Sequence, residues 1–280
     1  MKFGTSVLAL ALLASSSVMI AEANPLKPSM REQVNLGQRA IADVERQFDT
    51  LPDGDARVRL IRRLGDRLVD AIKGEESRPW EYKFNVIDKN EINAFALPGG
   101  PIYFFSGLID IMDSEDELAA VLAHEIAHVR REHWARRYAD EQARSIGITV
   151  LALILSPGRT AVTAASVAND LLVGLPYSRA QENEADRMGI ELMVDAGFNP
   201  NAAITVMERL QQNASRNRPP QWLSTHPDTN HRIRAIRAQI DRMGSNWPRL
   251  TPMPAAVTEL RPKDDQEPQA VSFYLCSCYH

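Results

Sequence analysis

The sequence predicts an α+β fold, mainly helical, with one small antiparallel sheet. Three observations carry this prediction. Apolar residues recur at helical spacing over residues 30–73, and again from Ser114 to about Arg242. Between these runs the period drops to two: Tyr82, Phe84 and Val86 alternate as in a strand. A Pro98-Gly99-Gly100-Pro101 turn then separates two short apolar segments, 92–97 and 102–105, as a hairpin does. The composition fits a globular chain, since 44% of the 280 residues are hydrophobic and 24% charged, which excludes collagen, a wholly disordered chain and a polytopic membrane protein. A net charge of −4 argues against a nucleic-acid partner, which calls for a basic face. The two cysteines, Cys276 and Cys278, both fall in the last five residues and make no disulfide framework.

Residues 1–23 read as an address. Lys2 opens the segment, an apolar core follows at 7–13, and Ala21-Glu22-Ala23 supplies a small-residue cleavage site before Asn24-Pro25. This is the pattern of an export signal cleaved after Ala23. Its apolar core is far shorter than the about 20 residues that span a bilayer. The expected folded domain covers 24–243. Its first part holds two helices, marked by Val34, Ile41, Val44 and Phe48 and then by Val58, Ile61, Leu64, Leu68 and Ile72, with Pro52-Asp53-Gly54 as the turn between them. The Pro and Gly content of 92–105 suggests an exposed sheet edge rather than a central strand.

Ser114 and Glu117 have the spacing of a capping box ahead of the next helix. Residues 146–155 form the most hydrophobic stretch after the signal, too short to cross a membrane; a packed helix is the simpler reading and membrane-surface contact the other. Residues 244–280, rich in Pro and charge and without periodicity, are expected to form a flexible tail.

The chemistry lies in the helical part. His124-Glu125-Ile126-Ala127-His128 is an H-E-x-x-H motif. Residues i and i+4 lie about 40° apart on a helix, so both imidazoles reach one ion, while Glu125, about 100° round from His124, is placed to touch a water there. Leu118, Leu122, Ile126 and Val129 form a neighbouring apolar stripe that seats the helix. Downstream, Glu182 and Asp186 stand at i and i+4 on a second helix that Gly197 ends. Catalytic zinc takes three protein ligands, so Glu182 is the expected third. Asp186 on the same face can hydrogen-bond a ligand histidine. Glu184, the competing carboxylate, points about 200° away from Glu182. Last comes Thr225-His226-Pro227, with Arg232 six residues on. His226 is a turn residue, a donor to a developing oxyanion, or an imidazole able to fill an open metal position.

With these four ordered motifs, Asn93-Ala94-Phe95-Ala96-Leu97-Pro98-Gly99-Gly100 included, the chain resembles one metallopeptidase family over about residues 31–240. That family includes the CAAX prenyl proteases, the HtpX-type and mitochondrial OMA-type proteases and, nearest in its motifs, the soluble periplasmic beta-barrel assembly-enhancing type. The resemblance implies a zincin-type domain with one Zn2+ per chain on His124, His128 and Glu182. It implies Glu125 as base, Asp186 behind the ligands, and His226 and Arg232 over the site as catalytic groups. It also implies that Asn93, Ala94, Phe95 and Ala96 form an edge strand facing the active-site cleft, where substrate docks. The expected function is a zinc endopeptidase acting on unfolded or misfolded envelope proteins in the periplasm, with outer-membrane assembly machinery or a membrane surface as further partners. The alternative is a chaperone-like or latched adaptor that grips exposed strands with little proteolysis. The helical-repeat domain of the soluble relatives and the spanning helices of the membrane-bound ones have no counterpart in the sequence.

Overall fold

The structure, a computed structural model, describes residues 26–72, 80–155, 176–214, 220–227 and 229–262, without the side chains of 145–155 and 229. The export signal, Cys276 and Cys278 lie outside the described residues. In chain order the elements are α1 (Met30–Gln47), α2 (Ala56–Asp70), β1 (Lys83–Ile87), β2 (Ala94–Ala96), β3 (Pro101–Phe105), α3 (Ser106–Asp110), α4 (Glu115–Arg130), α5 (His133–Leu155), α6 (Arg179–Asp195), α7 (Ala202–Gln212), α8 (Gln221–Thr225), α9 (Thr229–Met243) and α10 (Ala255–Thr258). The mainly helical α+β class is therefore observed. The stretch 146–155 continues α5, and among the described residues no helix is long and apolar enough to cross a membrane.

The sheet departs from the expectation of an antiparallel one. Its order is β1-β3-β2, with β1 parallel to β3 and only β2 antiparallel to it. The chain reverses after β1 and again at the hairpin, so β3 regains the direction of β1 and inserts between the two earlier strands. β3 is buried along its whole length, and a continuous apolar run suits a strand covered on both faces. Pro101 is accommodated because it is the first residue of that strand. Of the two hairpin strands, only β2 thus lies at an edge of the sheet. In the hairpin Gly99 and Gly100 take φ of +84° and +131°, and a Cβ on Gly99 would stand 2.5 Å from Val34 Cα of α1, so both backbone conformation and space demand glycine there.

The sheet is covered on both sides. Ala40 and Val44 of α1 pack with Ile87, Tyr103 and Phe105 on one face. On the other, Phe84, Val86, Ile102 and Phe104 join α2 (Ile61, Leu64, Leu68) and α4 (Leu118, Leu122, Ile126) in the main core. The Ser114–Glu117 capping box starts α4 as expected, and Ser178 with Gln181 starts α6 in the same way. Gly197, at φ +74°, follows the C-terminus of α6.

Of the expected flexible tail over 244–280, residues 263–280 lie outside the described residues, and 244–262 differ from the expectation. The segment after α9 folds back over the start of α4. Thr251 N donates to Asp116 Oδ2 at 2.7 Å, Glu115 N donates to Thr251 O, and Met253 N donates to Asp113 O. Val257 is buried in the main core. Pro and charge removed the periodic signal here, but the first turn of α4 offers unpaired backbone groups and a buried Asp116 that this segment satisfies.

Candidate metal centre

α4 carries His124 and His128 one turn apart, with their Nε2 atoms 3.0 Å apart. α6 crosses α4 and brings Glu182 to the same point, its carboxylate oxygens 3.5 Å from each of those nitrogens. His226, which ends α8, adds Nδ1 at 3.0 Å from Glu182 Oε1 and 3.2 Å from His124 Nε2. One ligand atom from each of the four residues lies within 4.8 Å of all the others, and all four residues are buried. Three imidazole nitrogens and one carboxylate oxygen converging at one buried point are the donor chemistry that zinc takes. The sequence reading expected three of these residues as ligands and left His226 open as a turn residue, an oxyanion donor or an imidazole filling an open metal position; the structure brings all four together.

The groups behind the ligands are as specific as the ligands. Asp186 Oδ1 lies 3.0 Å from His124 Nδ1. Arg232 of α9 grips Asp186 with two hydrogen bonds of 2.8 and 2.7 Å, pairs with Glu182 Oε2 at 2.6 Å and donates to His226 O. Arg232 is 1% exposed. The expectation that it stands over the site is therefore corrected: it lies behind the ligands and neutralises two buried carboxylates. An unpaired guanidinium is too costly to bury, so its place is fixed by those partners.

Glu125 sits on the flank of the group. Its Oε1 accepts from Trp222 Nε1 at 3.4 Å and lies 3.5 Å from His226 Nε2. Burial pushes the Glu125 carboxyl up, against the pull of His226 and His124. Glu182 behaves oppositely: burial opposes its charge, but His226 and Arg232 hold it well below the usual carboxylate range. Burial also opposes a charged His124, yet Asp186 and Glu182 outweigh it and raise that imidazole to about 9. Burial depresses His128 well below the ordinary imidazole value, with positive neighbours adding to the effect. Two adjacent carboxylates, Glu125 and Glu182, are thus driven apart in basicity, the arrangement acid–base chemistry uses.

The expected substrate strand is the edge strand β2. Asn93 lies just before it, and Asn93 O and Leu97 N make the ladder bonds to β3. By alternation, the N–H and C=O groups of Ala94 and Ala96 point away from β3, toward the open edge. Ile92 shares that parity, and its carbonyl accepts from Trp222 N. Trp222 therefore joins the edge strand to Glu125, which sets β2 beside the metal-ligand group.

Three neighbours escaped the sequence reading. Trp222 stacks on His226 at 4.5 Å between ring centroids. Tyr177 packs on His128 at 4.0 Å. His133 Nδ1 lies 2.9 Å from His128 Nδ1, and burial depresses its pKa to about 4. His133 follows His128 by five residues, off the helical period, so spacing gave no signal. The nearby backbone explains the contact: Glu132, at φ +53°, breaks the chain between α4 and α5 and turns His133 back.

Comparison with known proteins agrees with this geometry. The model of peptidase family M48 matches residues 55–240. The beta-barrel assembly-enhancing protease of Escherichia coli strain K12 is 34% identical over 191 residues, covering 65% of this chain and 39% of that protein. The putative beta-barrel assembly-enhancing protease of Vibrio cholerae is 38% identical over 181 residues, or 62% of this chain and 37% of that one. The mitochondrial metalloendopeptidase OMA1 of Schizosaccharomyces pombe is 33% identical over 244 residues, or 76% and 70%. The chain thus spans about two fifths of the length of the bacterial relatives. It belongs to peptidase family M48, a family of zinc metalloproteases.

Proposed function

We propose, from membership of that family, that the chain is a zinc endopeptidase that cleaves unfolded or misfolded proteins of the cell envelope. The export signal over residues 1–23 supports a periplasmic site of action, with cleavage after Ala23. The names of the bacterial relatives support outer-membrane assembly as the setting. His124, His128 and Glu182 hold the metal, and Asp186 orients His124. Zinc held there supplies Lewis acidity to water and to the scissile carbonyl.

The remaining steps belong to the protein. An extended peptide pairs with the outward backbone groups of Ala94 and Ala96, which favours unfolded chains over folded surfaces. Glu125 takes the proton of the attacking water and returns it to the leaving amine. Trp222 Nε1–H holds the Glu125 carboxylate in place for this transfer. The observation that carries the reading is Glu125, buried beside the ligand group with its basicity raised, yet outside the set of converging ligand atoms. Turnover of unfolded casein, with zinc measured on the same preparation, tests it. Glu125→Gln is expected to keep one zinc per chain and to lose about 10²–10⁴ of turnover. Wild-type turnover in that variant removes Glu125 from the mechanism.

A second reading concerns the resting state. His226 Nδ1 stands among the ligand atoms, which supports a latched form in which His226 occupies the position that substrate needs. The same histidine serves as a donor to the oxyanion once α8 moves. Higher basal turnover in His226→Ala marks the latch as dominant; loss of about 10²–10³ in kcat with full zinc marks the donor role. A chain that stays inactive in both forms while protecting unfolded protein from aggregation is the adaptor.

A further inference from the structure

We propose that His133 and Glu184 form a hydrogen-bonded relay that fixes His128 as a metal ligand, with His133 as a positioning residue one step behind it. The inference rests on the metal reading above and adds two residues to it. His128 points Nε2 at the ligand group and Nδ1 away from it. The outward nitrogen meets His133 Nδ1 at 2.9 Å, and His133 Nε2 meets Glu184 Oε2 at 3.0 Å.

The direction of every link follows from the far end. An ionised carboxylate only accepts, so the proton between His133 and Glu184 sits on His133 Nε2. A neutral His133 then presents a lone pair at Nδ1. The proton between the two imidazoles must therefore sit on His128 Nδ1, which leaves the His128 Nε2 lone pair free and aimed at the metal position. Glu184 is kept ionised by Arg131, which pairs with Oε1, and by Arg136 Nη1 at 3.1 Å from Oε2.

The backbone is built for the contact. Glu132 takes its left-handed φ with its carboxylate clamped by Lys27 Nζ at 2.9 Å and Gln33 Nε2 at 2.7 Å. Gln181 Nε2 donates to His133 O from α6. His133 itself is fully buried, where an imidazole needs both nitrogens satisfied. The two ligand histidines are thus oriented differently. His124 meets the carboxylate of Asp186 directly, whereas His128 reaches that of Glu184 through a second imidazole. Glu184, rejected as a ligand because it faces away from Glu182, acts on the metal from that other face.

The test is zinc affinity of the full chain, measured by competition with a chromophoric chelator. His133→Phe keeps ring shape but offers no acceptor, and it should weaken zinc binding about 10–100-fold. His133→Asn places an amide oxygen opposite His128 Nδ1 and should recover most of that loss. Glu184→Gln still accepts through its amide oxygen and should lose less than His133→Phe. Metal-free melting temperatures of the variants separate packing damage from loss of the relay. Long-range proton–nitrogen NMR of the zinc-loaded wild type reads the relay without any substitution. It should show the proton on Nδ1 of His128 and on Nε2 of His133. A proton on Nδ1 of His133, wild-type affinity in His133→Phe, or an Asn variant as weak as the Phe variant overturns the relay. A wild-type chain that takes up no zinc overturns the metal reading itself.

Discussion

Helix α4 is buried from Glu115 to Val129, yet its two long faces are built on different chemistry. Toward α2 and the sheet it presents Leu118, Leu122 and Ile126, which meet other aliphatic and aromatic side chains. Toward α6 it presents His124 and His128, which meet Glu182, Asp186 and, behind them, Arg232. The apolar seam is non-directional, and each contact contributes a small dispersion term. The polar seam is directional, and each member is tolerated only because a specific partner neutralises it. One helix thus holds the domain together with one face and holds the histidines of the candidate metal site in register with the other.

Four substitutions test that division, in falling order of expected effect. Arg232→Ala leaves Glu182 and Asp186 buried without their cation. It should lower stability by about 3–5 kcal/mol in urea unfolding and reduce zinc content. Leu122→Ala, on the opposite face, should cost about 3 kcal/mol through a cavity while keeping one zinc per chain. Equal zinc loss in the two variants would break the distinction between the faces.

Ala96→Pro removes an outward N–H from β2 and leaves the ladder to β3 intact. It should raise KM for unfolded substrate about fivefold, the worth of about one hydrogen bond, with zinc unchanged. Unaltered KM would remove the edge strand from substrate docking. Arg187→Ala deletes the partner of Glu191 on α6, where both side chains are about half exposed. A change under about 0.5 kcal/mol, with wild-type zinc, is expected from a solvated pair. A large loss there would show that burial is not what separates the ion pairs of this helix.

Much of the architecture was legible in local pattern. The two helices before the sheet, the hairpin at Pro98-Gly99-Gly100-Pro101 and the capped start of α4 each follow from short-range signals: apolar period, turn residues and a Ser-x-x-Glu box. The sheet's mixed pairing was not legible, because strand order depends on long-range contacts that no window of the sequence contains. The packed segment beyond Gly244 was missed for a related reason. Its stability comes from capping the buried start of α4, about 135 residues away in the chain.

The sequence by itself determined which residue types the candidate metal centre draws on. His124 and His128 share a helix face, and Glu182 and Asp186 share another, because a helical period of 3.6 residues is a local property. What only the tertiary structure decided is how those faces meet and what stands behind them. The crossing of α4 and α6 set the Glu182 oxygens against both histidines, and the return of α9 put Arg232 beneath Asp186. The left-handed turn at Glu132 brought His133 to the back of His128. Spacing fixes which side chains share a surface, but burial and partner choice arise when surfaces distant in sequence are pressed together and every polar group between them must find its complement.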